Sequence, residues 1–499
     1  MKLDELLSEY FCRVNEIDLN QNYTIEKIKA KDLIVSERLD LIPKLKYIEF
    51  REKGYDLTFP KEIYTAHIEA LTLGTYNEPG NVYKNSIKKY FDTFDFLIDD
   101  IKKNGFDEHK SVIPVGGNNA ILDGAHRVAV AAYFNLEVPI IRFNNIYSSY
   151  NVDFFKERLL NEEYLDYIVL EYSKLKKEIY CACVWPRAKG KSQLINVDKL
   201  VRDSGKIVYK KKIGLNYNGL YHLIKQVYSS EAWVGDINNH YKGAKAKSNQ
   251  CYDNSEIITV YIFECESYDK VVTLKKKIRD IFNVGKHSIH ITDNTEQTVR
   301  IANMLLNENS IHFLNNGNPN KYVEFINKLD EFMGLLTKHD LNSNQFIIDS
   351  SSVLALYGLR DAEDIDFITS SDQFEMIENK FTHNHHDYLK YYEMPVEELL
   401  LNPKTYFYYN DLKFTSLGVL KTFKRNRAES KDETDIELID SITTEKNEMS
   451  SVKNKFKKYL KRSIRNSKYA LHDFVVKVSK KLFLYKYLKR YYKYLKSLN

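Results

Sequence analysis

The stretch that decides the reading of this chain is Ile348-Asp-Ser-Ser-Ser-Val-Leu-Ala-Leu-Tyr-Gly-Leu-Arg-Asp-Ala-Glu-Asp-Ile-Asp-Phe-Ile368. The apolar run Phe346 to Ile348 predicts a short strand that runs into three serines. Val353 to Tyr357 predicts a helix, Gly358-Leu-Arg360 a turn, and the segment with Asp364 and Asp366 a second strand. Residues i and i+2 of a strand point to one face, so the two carboxylates share it. Paired carboxylates hold Mg2+ through oxygen. Ser351 and Ser352 stand where the N–H groups of a helix N-terminus hold phosphate. These are the parts a nucleotidyl-transfer site needs. An Asp-x-Asp pair alone is common at solvated strand ends; the serine, helix and strand around it point to chemistry.

Over residues 335–445 the segment resembles the nucleotidyltransferase superfamily that includes DNA polymerase β. The pattern of that family is a Gly-Ser or Ser-Ser pair, a helix, and Asp-x-Asp on the next strand. Ser351 and Ser352 occupy the first place, with serine where glycine is usual, and Asp364 and Asp366 the second. The resemblance implies that Asp364 and Asp366 are catalytic Mg2+ ligands and that Ser351 and Ser352 cradle nucleotide phosphates. Arg360 and Lys421 are further candidates for phosphate contact. The family often adds a third carboxylate on a later strand. Asp411 is the nearest candidate, but Asn410-Asp411 reads equally well as a hairpin turn. The run Lys421-Thr-Phe-Lys-Arg425, Arg427 and Lys431-Asp-Glu-Thr-Asp435 resembles the helical segment that follows this core in several branches.

A second anion site is written into residues 111–143. Val112 to Val115 predicts a strand, Gly116-Gly-Asn-Asn119 a hairpin turn and Ala120 to Leu122 the return strand. Gly124 to Arg127 opens an alanine-rich helix, and Val138 to Phe143 is a third strand. The glycine lets backbone approach a ligand, the N–H groups of the helix point outward, and Arg127 adds a bidentate donor. The segment resembles the ParB/sulfiredoxin superfamily, in which an Asp-Gly-x-His-Arg-like stretch binds nucleotide phosphates. Asp123, Gly124, His126 and Arg127 match it. Ala125 stands where sulfiredoxin carries its catalytic cysteine, and no helix-turn-helix follows as in partitioning proteins, so the serine-kinase-like branch is left. A kinase wants an acid and a base nearby: Glu78, with Lys84 beyond Gly80, is the candidate pair, although Asn77-Glu-Pro-Gly80 also reads as a plain turn.

Residues 178–330 read as α/β. Strands are expected at Glu178–Trp185, Ile207–Lys212 and Ile257–Glu264, and helical spacing covers Asn218–Tyr228 and Thr273–Phe282. In Gly285-Lys-His-Ser-Ile-His-Ile-Thr-Asp-Asn-Thr-Glu296 the strand Ser288 to Ile291 places Asp293 past its end, before a helix from Glu296 to Leu306. His290 and Asp293 form a possible central site as acid and base or as sugar or phosphate contacts. Asp293 with Glu296 also has the form of a capping box. Ser310-Ile-His-Phe-Leu314 is expected to be the next buried strand. Lys189-Gly-Lys191 lacks the upstream glycine of a P-loop.

The 499 residues exceed one ordinary domain. Five cysteines without Cys-x-x-Cys spacing speak against a zinc site or a disulfide framework. No signal-length apolar run opens the chain, and no stretch reaches the 18 apolar residues or so of a membrane span. The net charge is +5, but residues 451–499 carry +15, which leaves the rest at −10. An acidic enzyme with a basic tail fits this better than a nucleic-acid binder. In the tail, apolar residues recur at spacings of three, four or seven between lysines and arginines, with tyrosines near the end. An anionic membrane surface is the partner this pattern fits first, then a docking protein, then nucleic acid. Glu429–Ser451 is the linker candidate before it.

The expected architecture is therefore α+β or α/β and multidomain. A ParB/sulfiredoxin-like domain spans 1–150, a central α/β domain 151–330, a nucleotidyltransferase-like domain 331–445 and a basic amphipathic helical tail 446–499. The expected function is a Mg2+-dependent nucleotidyltransferase, a small-molecule kinase, or both. It would use ATP or CTP on a small-molecule acceptor in the bacterial cytoplasm or at the inner face of the membrane, and the membrane-surface tail points to surface polysaccharide biosynthesis as its setting. The rivals are a nucleotide-gated regulator without turnover and a toxin-type nucleotidyltransferase.

Overall fold

The computed structural model describes residues 6–443 except Pro79 and Val82, together with Val478. The tail expected over 446–499 lies outside the described residues, Val478 apart. The described residues are mixed α and β, with three small sheets. Each sheet takes its strands from one segment of the sequence, and the described residues up to Ile442 belong to one compact unit.

The first sheet holds β1 (Ile25–Lys29), β2 (Ile113–Gly116) and β3 (Glu137–Phe143) in the order β1-β3-β2. β2 and β3 are parallel and joined through the helix Ala125–Tyr133, as a parallel pair requires a crossover. The expected return strand at Ala120 to Leu122 is reduced to a single bridge, Val115 to Ile121. Leu122 does turn back, its N–H donating to Pro114 O at 2.8 Å, but Asp123 and Gly124 then leave the sheet for the helix. Helices Leu41–Lys53, Thr58–Thr72 and Ile87–Asn104 complete the layer around this sheet. Under them Asp40 is buried between Arg38, at 2.8 Å, and Lys44, at 3.1 Å.

The second sheet holds β4 (Ile179–Val184), β5 (Lys206–Gly214), β6 (Ile257–Glu264) and β7 (Ile289–Ile291) in the order β5-β6-β4-β7, with every neighbouring pair antiparallel. β4 is buried throughout because both of its faces are covered. Tyr180, Ala182 and Val184 meet helices Lys191–Ser204 and Tyr268–Phe282, whereas Cys181, Cys183 and Trp185 point into the larger core. The capping reading of Asp293 is corrected. The cap of helix Thr295–Leu305 is Asn294, whose side chain accepts from Gln297 N, and Asp293 instead accepts from Tyr268 Oη at 2.8 Å. Ser310 to Leu314 is not a strand but part of the helix Glu308–Asn316. Asn307 caps it, and Ser310, Phe313 and Leu314 bury one helical face, a spacing of three and four that a strand could not use.

The third sheet carries β8 (Phe346–Ile348), β9 (Ile365–Thr369), β10 (Thr382–Asn384), β11 (Tyr406–Tyr409) and β12 (Leu412–Thr415) in the order β10-β9-β8-β12-β11. β8 lies in the middle, antiparallel to β9 and parallel to β12. Helix Ser351–Leu356 fills the turn from β8 towards β9, and every one of its residues is buried. Asn410 and Asp411 both have positive φ, 47° and 61°, and close the β11–β12 hairpin. The expected linker after Glu429 is instead the helix Ser430–Thr443, held by the buried Asp432, Asp435 and Ile439. Its acidic composition serves ion pairs within the fold. Lys424 is wholly buried and bridges Asp432 at 3.2 Å and Asp435 at 2.6 Å, Arg427 bonds Asp432 at 2.6 Å, and Arg360 pairs with Asp435 at 2.8 Å. No helix among the described residues is long and apolar enough to cross a membrane.

Candidate functional site

The register of the third sheet assembles a group the sequence did not announce. Ile348 pairs with Phe367 in the antiparallel β8–β9 ladder, so the next residue, Asp349, falls opposite Asp366. The ladder continues there, with Asp349 N–H donating to Asp366 O at 2.9 Å. On the other side of β9, His383 is the register partner of Asp366. His385 follows it by two residues and points to the same face. The His385 N–H donates to Phe367 O at 2.7 Å and fixes this extension of β10.

Asp349, Asp366 and His385 thereby present ligand atoms within 4.8 Å of one another, all three buried. His385 Nε2 stands 3.0 Å from Asp366 Oδ1, and its Nδ1 3.3 Å from Asp349 Oδ1. The second contact is close in distance but poorly aligned, and Asp349 Oδ1 and His385 Nδ1 remain buried without a hydrogen bond. The other Asp349 oxygen, Oδ2, accepts from the Tyr392 hydroxyl. Tyr392 is itself fixed by stacking on Phe423, with ring centroids 4.5 Å apart. Two carboxylates facing each other across a sheet repel, so the pair requires a cation. Burial opposes charge on His385, but the carboxylates of Asp349 and Asp366 overcome it and push the imidazole up to about 10. With no metal bound, a protonated His385 supplies the positive charge.

The donor set also fits a divalent cation. A buried carboxylate oxygen without a hydrogen bond, a second carboxylate and an imidazole form an open three-donor set. The nitrogen favours Mn2+ or Zn2+ over the all-oxygen shell that Mg2+ prefers.

The residues picked from sequence are distributed around this group. Asp366 belongs to it, whereas Asp364, half-buried and just before β9, does not. Ser352 is fully buried and its hydroxyl donates to Asp364 O at 3.2 Å, so it braces the turn into β9. Ser351 is 8% exposed at the first position of its helix. Ser350 before it has φ +57° and ψ −132°, a conformation suited to glycine, at the place where the chain leaves β8. Arg360 is paired with Asp435, and Lys421 with Asp440, both on helix Ser430–Thr443. Asp411 faces Arg300 at 3.6 Å on the hairpin and is remote from the triad in its contacts. Asp349, His385 and Tyr392 were missed. The run His383-Asn384-His385-His386 was the one signal available for the histidine.

In the first layer the structure brings together the residues expected there. Glu78 and Lys84 form an ion pair at 2.9 Å, and Lys84 lies 5.3 Å from the Tyr90 ring centre. Tyr90 is a neighbour of His126, whose Nε2 lies 2.8 Å from the Tyr64 hydroxyl. Burial pushes His126 well below the usual imidazole range and the charges of Lys44 and Lys84 push it further, so the ring is neutral. Arg127 folds back over Gly124 to bond the Ser111 hydroxyl, with Asp123 4.0 Å away. A Cβ on Gly124 would come within 2.8 Å of the guanidinium, at a φ of +83°. Asp123 accepts from Ser8 Oγ at 3.0 Å. In the central layer His290 and Asp293 lie at and beyond β7, where Lys275 stands 3.6 Å from Asp293.

Comparisons with family models, with curated proteins and with solved structures found no match.

Proposed function

We propose that the third sheet carries a divalent-cation-dependent site of nucleotidyltransferase type, which transfers a phosphorus-containing group from a nucleoside triphosphate to a small-molecule acceptor. The observation that supports it is the Asp349–Asp366–His385 group, built where two strand ends and a strand extension meet, with donor atoms left without hydrogen bonds. A cation bound there neutralises phosphate charge and polarises the bond to the leaving group. Asp349 and Asp366 bind it through oxygen, and Tyr392 holds the Asp349 carboxylate in one orientation through Oδ2. His385 gives up its proton when it ligates, and keeps that proton when it acts as the internal counter-ion. Asp364 lies two residues before Asp366 and has no ion-pair partner among the described residues. In this reading it takes the proton of an acceptor hydroxyl.

A second reading rests on the same histidine. A His385 imidazolium between the two carboxylates balances their charge without a metal, as a regulator descended from such a site would do. Calorimetry with Mn2+ and Mg2+, followed by 31P NMR of the protein with each nucleoside triphosphate and a pool of small-molecule acceptors, separates the two. Cation binding and pyrophosphate release, both lost in Asp366→Asn and Asp349→Asn, support transfer. Absence of cation binding in the wild-type chain up to millimolar concentration overturns it and leaves the regulator.

A further inference from the structure

Basic side chains from separate elements converge at the outer edge of the second sheet, far in sequence from the triad. β7 is last in the strand order, so that edge has no strand partner. His290 stands opposite Cys183 in the β4–β7 register and is 8% exposed. No hydrogen bond among the described residues engages its ring nitrogens. Burial, with the charge of Lys275 adding to it, pushes His290 down to about 3, so the ring is neutral and keeps one N–H to donate.

Lys275 and Arg279 lie one turn apart on helix Tyr268–Phe282 and therefore on one side of it. Lys275 reaches the strand edge, where its Nζ donates to Ile291 O at 3.0 Å. Arg279 has its Nε buried without a hydrogen-bond partner. From helix Lys242–Cys251, Lys247 comes within 5.8 Å of the Tyr228 ring centre, and that ring meets His290 edge-on at 5.0 Å. Tyr228 also packs on Trp233 at 5.2 Å, and Trp233 is 45% exposed.

The charges do not balance locally. Asp293 answers Lys275, but neither Lys247 nor Arg279 forms an ion pair among the described residues; Lys247 donates to Lys286 O and stands 3.5 Å from His287 Nδ1, which leaves its charge without a carboxylate. Burial lowers Lys247, and the neighbouring Arg279 charge lowers it further. Two cations without acids, a planar guanidinium with a buried unbonded N–H and a neutral imidazole donor match a dianion with several acceptor oxygens better than a single carboxylate. We propose that this edge binds the phosphate dianion of a small phosphorylated molecule, with Arg279, Lys247 and His290 as donors and the Trp233–Tyr228 pair as the wall beside it. The site is independent of the triad and of any reaction there.

The chain contains two tryptophans, so Trp233 gives a local optical signal. The full chain is titrated in EDTA with inorganic pyrophosphate at constant ionic strength, which silences cation-dependent binding at the triad. A saturable fluorescence change, weakened at least tenfold in both Arg279→Gln and Lys247→Gln and unchanged in Arg127→Ala, is expected. Thermal melts confirm that the variants fold, and Lys247→Gln decides if Arg279→Gln does not. No saturable change, the same change with sodium chloride, equal affinity in the two variants and wild type, or a loss confined to Arg127→Ala would each overturn the assignment.

Discussion

His385 Nε2 lies 3.0 Å from Asp366 Oδ1, on the strand extension beside β9. The contact ties the charge state of the C-terminal sheet to one proton. The folded pKa of His385, about 10, exceeds the unfolded value of about 6.5. Its stabilising contribution is therefore complete below pH 6.5 or so and is lost as pH rises towards 10. Urea unfolding of the metal-free chain at a series of pH values should show stability falling over that window, and His385→Asn should flatten the fall. A histidine variant with an unchanged pH profile would mean that the imidazole is neutral in the fold.

The same proton competes with a cation. Ligation by His385 requires the free base, so affinity for Mn2+ should rise with pH by up to about tenfold per unit below the pKa, with release of a proton. Calorimetry in buffers of different ionisation enthalpy counts that proton directly. A pH-independent affinity would show that His385 is not a ligand.

Tyr392 acts through Asp349 and does not reach the donor triangle itself. Tyr392→Phe keeps the stacking on Phe423 and removes only the hydroxyl bond. Cation affinity should fall about 10- to 100-fold while the melting temperature changes little. An equal loss of affinity in Phe423→Leu with Tyr392 intact would indicate that packing, not the hydroxyl, positions the carboxylate.

Ser350 occupies backbone space that glycine adopts at no cost. Ser350→Gly should stabilise the chain by about 1 kcal/mol, the scale of the strain at such positions, less any gain in unfolded-chain entropy. Urea midpoints at constant m value measure it. Destabilisation would show that the buried hydroxyl contributes more than the strain removes.

Lys424 carries the buried charge of the closing helices. Lys424→Met leaves Asp432 with Arg427 and Asp435 with Arg360, but strips each of a close partner. A loss of about 3 kcal/mol is expected from breaking such a buried network, and denaturant unfolding reads it without any assay of activity.

Much of the scaffold was legible because its signals are local. The apolar runs at β4, β6, β8 and β9 and the helical spacing before Tyr228 and Phe282 mark elements that burial then holds in place. The hairpin at Asn410-Asp411 was legible for the same reason. Asp366 was visible as half of an Asp-x-Asp pair, but its partners were not. Asp349 matters because an antiparallel register sets it opposite Asp366, and His385 because a parallel neighbour carries it onto the same face. Neither relation exists in the one-dimensional spacing. The helix at Ser310 to Leu314 and the helix after Glu429 were misread because a five-residue run with three apolar side chains fits two periods, and because acidic residues that pair inside a fold have the composition of a solvated linker.

The central position of β8 bears on the order in which the chain is made. Its two edges are filled by β9 and by β12, both synthesised after it, and β12 ends at Thr415. A nascent chain that has emerged only as far as Tyr392 already contains every side chain of the triad but leaves one edge of β8 bare. The carboxylates would meet on a half-built sheet, exposed to water and to other strands. The burial that the triad has in the finished fold would then await docking of the β11–β12 hairpin.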